Sequence, residues 1–309
     1  MKEKELDLSQ AVMIVDKFLS LKIPPRKTYL SPWLTEDSIT LVYGWRGSGK
    51  TWFAMAIADA ITMGTQLGPW ECKESVPCLY LDAEMTTFDT KSRLTSMAHK
   101  NRKSELLIYS SAYAAKKGIL RADLNNPEWR QSFKALLLHR GIRLWIGDNI
   151  SSLCPSKPEN TKEDWDPVNQ WLLDLRFHGI ATILIHHEGK DGSQRGTSGR
   201  EDNIDNSISL KRPRNHKTES GADFTVMFLK NRVETDDLHL LAPVRCSMGT
   251  NGNGKFVCKW EDHGTAKKEA ILTMVHKGIP VSEISRKLNV TTRYVYQVKQ
   301  DNTKVAKKS

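Results

Sequence analysis

The sequence predicts an α/β protein: a mostly parallel sheet with helices on both faces, antiparallel additions at its end, and a small all-α unit behind it. Three observations predict this class. A β-rich run at residues 39–43 breaks into the glycines of Gly44-Trp-Arg-Gly47-Ser48-Gly49-Lys50-Thr51 and passes into helix-forming residues 53–60. Short apolar runs ending in acid recur at 76–82 and 142–148, as expected of strands buried on both faces. From Gly264 onward the chain turns basic, with ten Lys/Arg against three Asp/Glu in its last 46 residues. At 309 residues the chain has room for one large domain and an appendage, which sets the expected division: an N-terminal arm over 1–30, the α/β domain over 31–260, a helical unit over 265–300 and a basic tail over 301–309.

The arm comes first. Val12, Ile14, Val15, Phe18 and Leu19 stand at near-helical spacing before Pro24-Pro25 ends the pattern, so an amphipathic arm is expected, free to fold back or to dock on a neighbouring subunit. The glycine-rich stretch follows. Gly44 and Gly49 hold the outer positions of a G-x-x-x-x-G-K-[ST] loop, with Gly47 and Ser48 inside it, and such a loop turns its backbone N–H groups toward phosphates at a helix N-terminus. Lys50 then reaches the β- and γ-phosphates and Thr51 ligates Mg²⁺.

After a Gly/Pro turn at 64–69, the strand at 76–82 ends in Asp82-Ala-Glu84-Met85, at the sheet edge where doubly wound folds bind ligands. Glu84 is a candidate general base, or else a cap for the helix beginning near Thr87. A strand at 106–109 and a helix at 127–139 with Pro127 in its first turn lead to Asp148, at the tip of a buried strand expected beside the phosphate loop. Asp148 there can hold Mg²⁺ or its water together with Thr51. Trp165, Val168, Trp171, Leu172 and Leu175 mark an amphipathic helix, and the next strand runs into His186-His187. Adjacent side chains on a strand point to opposite faces, so the two histidines do not share one metal; one of them is expected to sense phosphate, and the sequence leaves open which. Lys190, Arg195 and Arg200 fall in a polar loop. Further strands are expected at 208–210, 224–232, 238–241 and 256–260.

Hydrophobic content is 39% and no apolar run reaches the roughly 18 residues of a membrane span, which predicts a soluble cytoplasmic chain with no membrane partner. The five cysteines form no C-x-x-C pair and are expected as reduced, structural thiols.

From about residue 24 to 247 the chain resembles the RepA-like branch of RecA-fold hexameric replicative helicases of plasmids and other mobile elements, relatives of the DnaB helicases. The resemblance rests on the 44–51 loop, Leu81-Asp-Ala-Glu-Met85, Asp148-Asn-Ile-Ser-Ser-Leu153, and the block from His186 to Ser198 followed by Arg200-Glu-Asp202. It implies a RecA-like core that hydrolyses ATP with Mg²⁺. It further implies Glu84 as catalytic glutamate, Asp148 as Walker B aspartate, and His186 or His187 as the link from γ-phosphate to a DNA-facing loop that carries Lys190, Arg195 and Arg200. Lys230-Asn-Arg232 is similar to the Lys-x-Arg pair such helicases insert into the neighbouring subunit's site, which requires a homo-oligomer, a hexameric ring in that family. The other reading of Lys230 and Arg232 is two outward charges on an edge strand. Expected partners are single-stranded DNA and a replication initiator or primase of the same element.

Residues 266–300 resemble a helix-turn-helix. Ile284, Leu288, Val290, Val295 and Val298 would form its small core, Asn289 its tight turn and Thr291 its cap, leaving Thr292, Arg293, Tyr296, Gln297 and Lys299 to face double-stranded DNA. A unit of this size used only for protein contacts is the alternative. The whole is expected to be an ATP-hydrolysing DNA motor; the alternative is an ATP-switched DNA-binding regulator without strand separation.

Overall fold

The computed structural model describes residues 8–97, 99, 101–155, 162–188, 203–212, 221–261, 271–272, 274–275, 278–288 and 290–306, with 162–164 and 301–306 as backbone only. After the helix α1 (Val15–Leu19), strands β1 (Thr28–Leu30) and β2 (Leu34–Thr35) form a small antiparallel pair. The main strands are β3 (Ile39–Gly44), β4 (Cys78–Asp82), β5 (Leu106–Ser110), β6 (Leu144–Asp148), β7 (Ala181–His187), β8 (Asn206–Lys211), β9 (Ala222–Lys230), β10 (Val244–Thr250) and β11 (Phe256–Trp260). They build one nine-stranded sheet in the order β11-β10-β9-β8-β3-β7-β6-β4-β5. Strands β8, β3, β7, β6, β4 and β5 pair in parallel, and β9, β10 and β11 add antiparallel at one side. The architecture is the mixed α/β fold with a mostly parallel central sheet.

Strand β6 does not lie directly beside β3, because β7 inserts between them and pairs with both. The expectation that the strand of Asp148 lies beside that of the phosphate loop is corrected to one strand's width, which opens a crevice between the tips, and Asp148 still reaches Thr51 across it.

Alternation along the strands sorts the core into two layers. On one face Val42, Ile146, Ile183, Ile185 and Ile208 pack on Phe53, Ile57 and Ile61 of helix α2 (Lys50–Met63). On the other, Leu41, Tyr43, Leu79, Trp145 and Leu184 pack on Phe133 and Leu137 of a helix over Pro127–His139 and on Val168, Trp171 and Leu175 of a helix over Lys162–Phe177. Burying such side chains contributes about 1.5–3 kcal/mol apiece before the entropy cost of ordering them.

Two expectations are corrected by local chemistry. Residues 238–241, expected as a strand, belong to a 3-10 helix over Thr235–Leu241, where Asp236 and Asp237 occupy the first turn and Pro243 follows with no N–H to give a ladder. Among its described residues the arm forms a 3-10 turn at Ser9–Ala11 and α1, because β-branched Val12 and Ile14 do not continue the helix, and no residue of either piece is buried.

Residues 271–306 form a separate small cluster. Ile271, Ile284, Val295 and Val298 are its buried centre, with Leu288 and Val290 packed against it. Two helices, Val281–Leu288 and Thr292–Ala306, carry it, and Thr291 Oγ1 accepts from Tyr294 N at 3.1 Å at the start of the second. Asn289 lies outside the described residues.

Candidate nucleotide site

Parallel strands put all their C-terminal tips at one edge, and the side chains singled out in the sequence meet there. Register places Asp82 opposite Asp148, Asp148 opposite Ile185, and Gly44 opposite His187. Above these tips lies a cleft of about 490 Å³ lined by Gly47, Gly49, Lys50, Thr51, Glu84 and Asp148 among others.

The loop from Gly44 to Gly49 is shaped by positions that only glycine fills. Gly49 sits at φ +99°, and a Cβ there would lie 2.3 Å from Ala222 Cβ on β9. At Gly44 a Cβ would stand 2.7 Å from the Leu210 carbonyl oxygen of β8. Ser48 is buried at the bend. Lys50 opens α2 and curls back over the loop, donating to the carbonyls of Gly44 at 2.9 Å and Trp45 at 2.8 Å. Burial lowers its pKa to about 8, although Asp148, Glu84 and Glu188 pull it upward. A half-desolvated ammonium at a helix N-terminus is a receptor for an anion.

Asp148 is buried, and desolvation raises its pKa, opposed by hydrogen bonds from Thr51 and from Tyr80. The Tyr80 hydroxyl donates to Asp148 Oδ2 at 2.8 Å. Glu84 is not a helix cap: Thr86 takes that position for the helix over Thr87–Ser96, its hydroxyl accepting from Asp89 N. The Glu84 carboxylate accepts instead from Asn149 Nδ2 and reaches the cleft. Asp82 is committed elsewhere, accepting from the amides of Glu84 at 3.1 Å and Met85 at 2.9 Å and from the Thr90 hydroxyl.

The two histidines separate as strand alternation requires. His187 follows Ile183 and Ile185 onto the α2 face and lines the cleft, whereas His186 is fully buried and does not. Thr51 and Asp148 supply the hydroxyl and carboxylate oxygens a small divalent cation prefers, so the donor set fits Mg²⁺.

This arrangement matches a known family. A family profile described as an AAA domain matches residues 2–193. The chain belongs to the AAA-domain family. That membership supports a P-loop ATPase, and the family implies use of nucleotide, typically with Mg²⁺. No curated protein matches its sequence. Among solved structures, the crystal structure of a KaiC-like protein from the hyperthermophilic archaeon Pyrococcus horikoshii OT3 is similar at 14% identity, covering 75% of this chain and 93% of that one, with a TM-score of 0.47.

The remaining candidates lie apart from the cleft of this AAA-domain protein. Lys230 ends β9, paired with Ser207 at the opposite edge of the sheet from the nucleotide cleft. Arg232 lies beyond the strand, 3.4 Å from Asp205 Oδ1. Strand β9 pairs with β8 up to Lys230 but with β10 only from Ala222 to Val226, so the reading of Lys230 and Arg232 as outward charges at a strand edge stands beside the finger reading. Lys190, Arg195 and Arg200 lie outside the described residues. On the terminal helix, Thr292, Tyr296 and Lys299 share one flank, with the Lys299 ammonium 5.9 Å from the Tyr296 ring centroid. Arg293 and Gln297 are also exposed: Arg293 pairs with Asp236 at 2.6 Å, and Gln297 is among the residues at the rim of a cavity of about 860 Å³. Cleft-lining side chains to which the sequence reading gave no role include Asn149, Trp52, Thr86, Asp89 and Arg93. Asn149 directly follows the strand-ending Asp148, which is the signal that could have found it.

No helix among the described residues is long and apolar enough to cross a membrane.

Proposed function

We propose that the protein is an ATP-driven DNA motor of the RepA-like helicase kind, assembling as a ring on single-stranded DNA, with its C-terminal helices acting as a helix-turn-helix on duplex DNA. In this reading the loop N–H groups and Lys50 hold the β- and γ-phosphates. Thr51 and Asp148 hold Mg²⁺, which screens the phosphate charge. Glu84, oriented by Asn149, takes a proton from the attacking water, and His187 relays the state of the γ-phosphate to the loop that carries Lys190, Arg195 and Arg200.

The observation that carries the proposal is the separation of Lys230 and Arg232 from the cleft of their own chain. They stand at the opposite sheet edge, so a role in hydrolysis requires the cleft of a neighbouring subunit, and hence a ring or filament. The test is strand displacement on a forked duplex together with ATPase stimulation by single-stranded DNA. Both activities are expected; ATP turnover with neither of them would overturn the motor.

One observation favours a second reading, an ATP-switched DNA-binding regulator. The terminal helix rests on the ATPase domain through the Arg293–Asp236 pair and through Tyr294 stacked on His239, with ring centroids 5.3 Å apart. A nucleotide-driven change in the core could therefore release or hold that helix. ATP-dependent duplex binding without strand displacement would select this reading.

A further inference from the structure

The last two strands of the sheet hold a pair of nucleophiles that the nucleotide site does not use. Cys246 of β10 stands opposite Trp260, and Cys258 of β11 stands opposite Met248, which makes the two cysteines diagonal neighbours on the ladder. Both belong to the face that packs on α2. Their sulfurs are 3.5 Å apart, and both are free thiols. The two are not equivalent. Cys246 is fully buried, and burial pushes its thiol up, away from ionisation. Cys258 is only partly buried and lines the cavity of about 860 Å³ together with His239, Trp260 and Tyr294. Its hydrogen bond with Cys246 holds its own thiol below the ordinary cysteine value. An attacking sulfur open to a cavity thus lies against a second sulfur sealed behind it.

We infer that Cys246 and Cys258 are a redox-modification site, a dithiol that closes to a disulfide by exchange with a low-molecular-weight disulfide, Cys258 attacking first and Cys246 resolving. The Cys258 thiolate attacks one sulfur of the small disulfide. That S–S bond breaks, one half leaves as a thiolate that takes up the proton Cys258 gave, and Cys258 carries the other half. Cys246 then loses its proton, attacks the Cys258 sulfur and displaces the second half as a thiol. The protein dithiol is oxidised by two electrons and the small disulfide is reduced to two thiols. Closing the bond brings the sulfurs from 3.5 Å to about 2 Å, and β11 can supply that movement because it is the last strand of the sheet and pairs with β10 alone. The bridge fixes a strand that reaches toward both functional parts of the chain: Phe256 lies on Trp52 of the nucleotide cleft at 5.4 Å, and Trp260 shares the cavity with Tyr294 of the terminal helix.

The experiment incubates the reduced full chain with glutathione disulfide under native conditions and locates every modified cysteine by peptide mass spectrometry. The expected product is a peptide pair joined through Cys246 and Cys258 that carries no glutathione and is released by dithiothreitol. Cys246→Ser should stop at a glutathione adduct on Cys258, since nothing remains to displace it. Cys258→Ser should leave Cys246 unmodified. A wild-type pair that stays reduced, whether or not the partly exposed Cys72 and Cys154 react, overturns the proposal, and so does glutathione that remains on wild-type Cys258. A bridge that forms only when the buried Cys78 is modified as well reports unfolding and overturns it too. Uptake of glutathione by Cys246 in the Cys258→Ser variant, as fast as by Cys258 in the wild type, reverses the order of attack and rules out the site as described.

Discussion

At the scale of single residues, the cleft separates groups that bind from groups that react. Lys50 stays within reach of the loop carbonyls while its charge is poorly solvated, so Lys50→Ala removes the main cation facing the phosphates and should abolish measurable nucleotide binding and turnover. Glu84→Gln should act differently. A glutamine fills the same space but cannot take a proton, so nucleotide binding should persist while turnover falls about 100-fold or more. Calorimetry and a phosphate-release assay on the two variants separate these outcomes, and wild-type turnover in Glu84→Gln would remove Glu84 from the chemistry. Asn149 does two jobs from one buried side chain: its Nδ2 donates to Glu84, and its Oδ1 accepts from Ser152 N at 3.1 Å as the cap of a short helix over Ile150–Leu153. Asn149→Ala should therefore cost about 1 kcal/mol of stability as a lost cap and also lower turnover, with affinity for nucleotide little changed. A melting curve and a KM-against-kcat comparison test the two halves separately.

At the scale of elements, the phosphate loop and the antiparallel strands depend on each other. Gly49 faces Ala222 and Phe224 of β9 so closely that any Cβ collides, and its φ of +99° is a conformation other residues resist. Gly49→Ala should destabilise the domain by about 2 kcal/mol or more, seen as a lowered denaturation midpoint, because both the strain and the overpacking must be relieved by moving β9 or the loop. The C-terminal helices rest on a much smaller core, centred on Ile271, Ile284, Val295 and Val298. Ile284→Ala should cost that unit about 2–4 kcal/mol, enough to expose its amides to hydrogen exchange. The ATPase domain should keep its own protection and its activity, since none of its core side chains takes part in that cluster.

At the scale of the whole molecule, the proposed ring would place two features of the chain at contacts between subunits. Residues 12–23 hold out Val12, Ile14, Val15, Phe18, Leu19 and Ile23 with more than half of each exposed, and Lys230 and Arg232 stand far from the cleft of their own chain. Arg232→Ala should leave nucleotide binding intact and cut turnover by a factor on the order of 10³, as removal of a trans-acting arginine does. Mixing it with Lys50→Ala should restore part of the activity, because each variant subunit donates what the other lacks. A strict monomer by sedimentation with full activity would exclude that geometry.

Much of this protein is legible in the sequence, for reasons that are local. The phosphate loop announces itself because its glycines, lysine and threonine are contiguous, and the buried strands announce themselves because apolar runs ending in acid are short and continuous. Asp148 and Glu84 could be placed at one sheet edge from the chain alone, since parallel strands put all their tips on one side. Tertiary structure decided whatever depends on which strands are neighbours. The face of β7 that meets α2 chose His187 over His186 for the cleft, and the insertion of β7 between β3 and β6 opened the crevice between their tips. Residues 238–241 turned into a 3-10 helix because acids before them and a proline after them outweighed a weak β pattern. Trp52 meets Arg93 across about 40 positions and Phe256 across about 200, and Arg293 meets Asp236 across 57. No periodicity encodes such contacts: a sequence pattern fixes the face a side chain takes within its own element, and only the packing of elements fixes what that face meets.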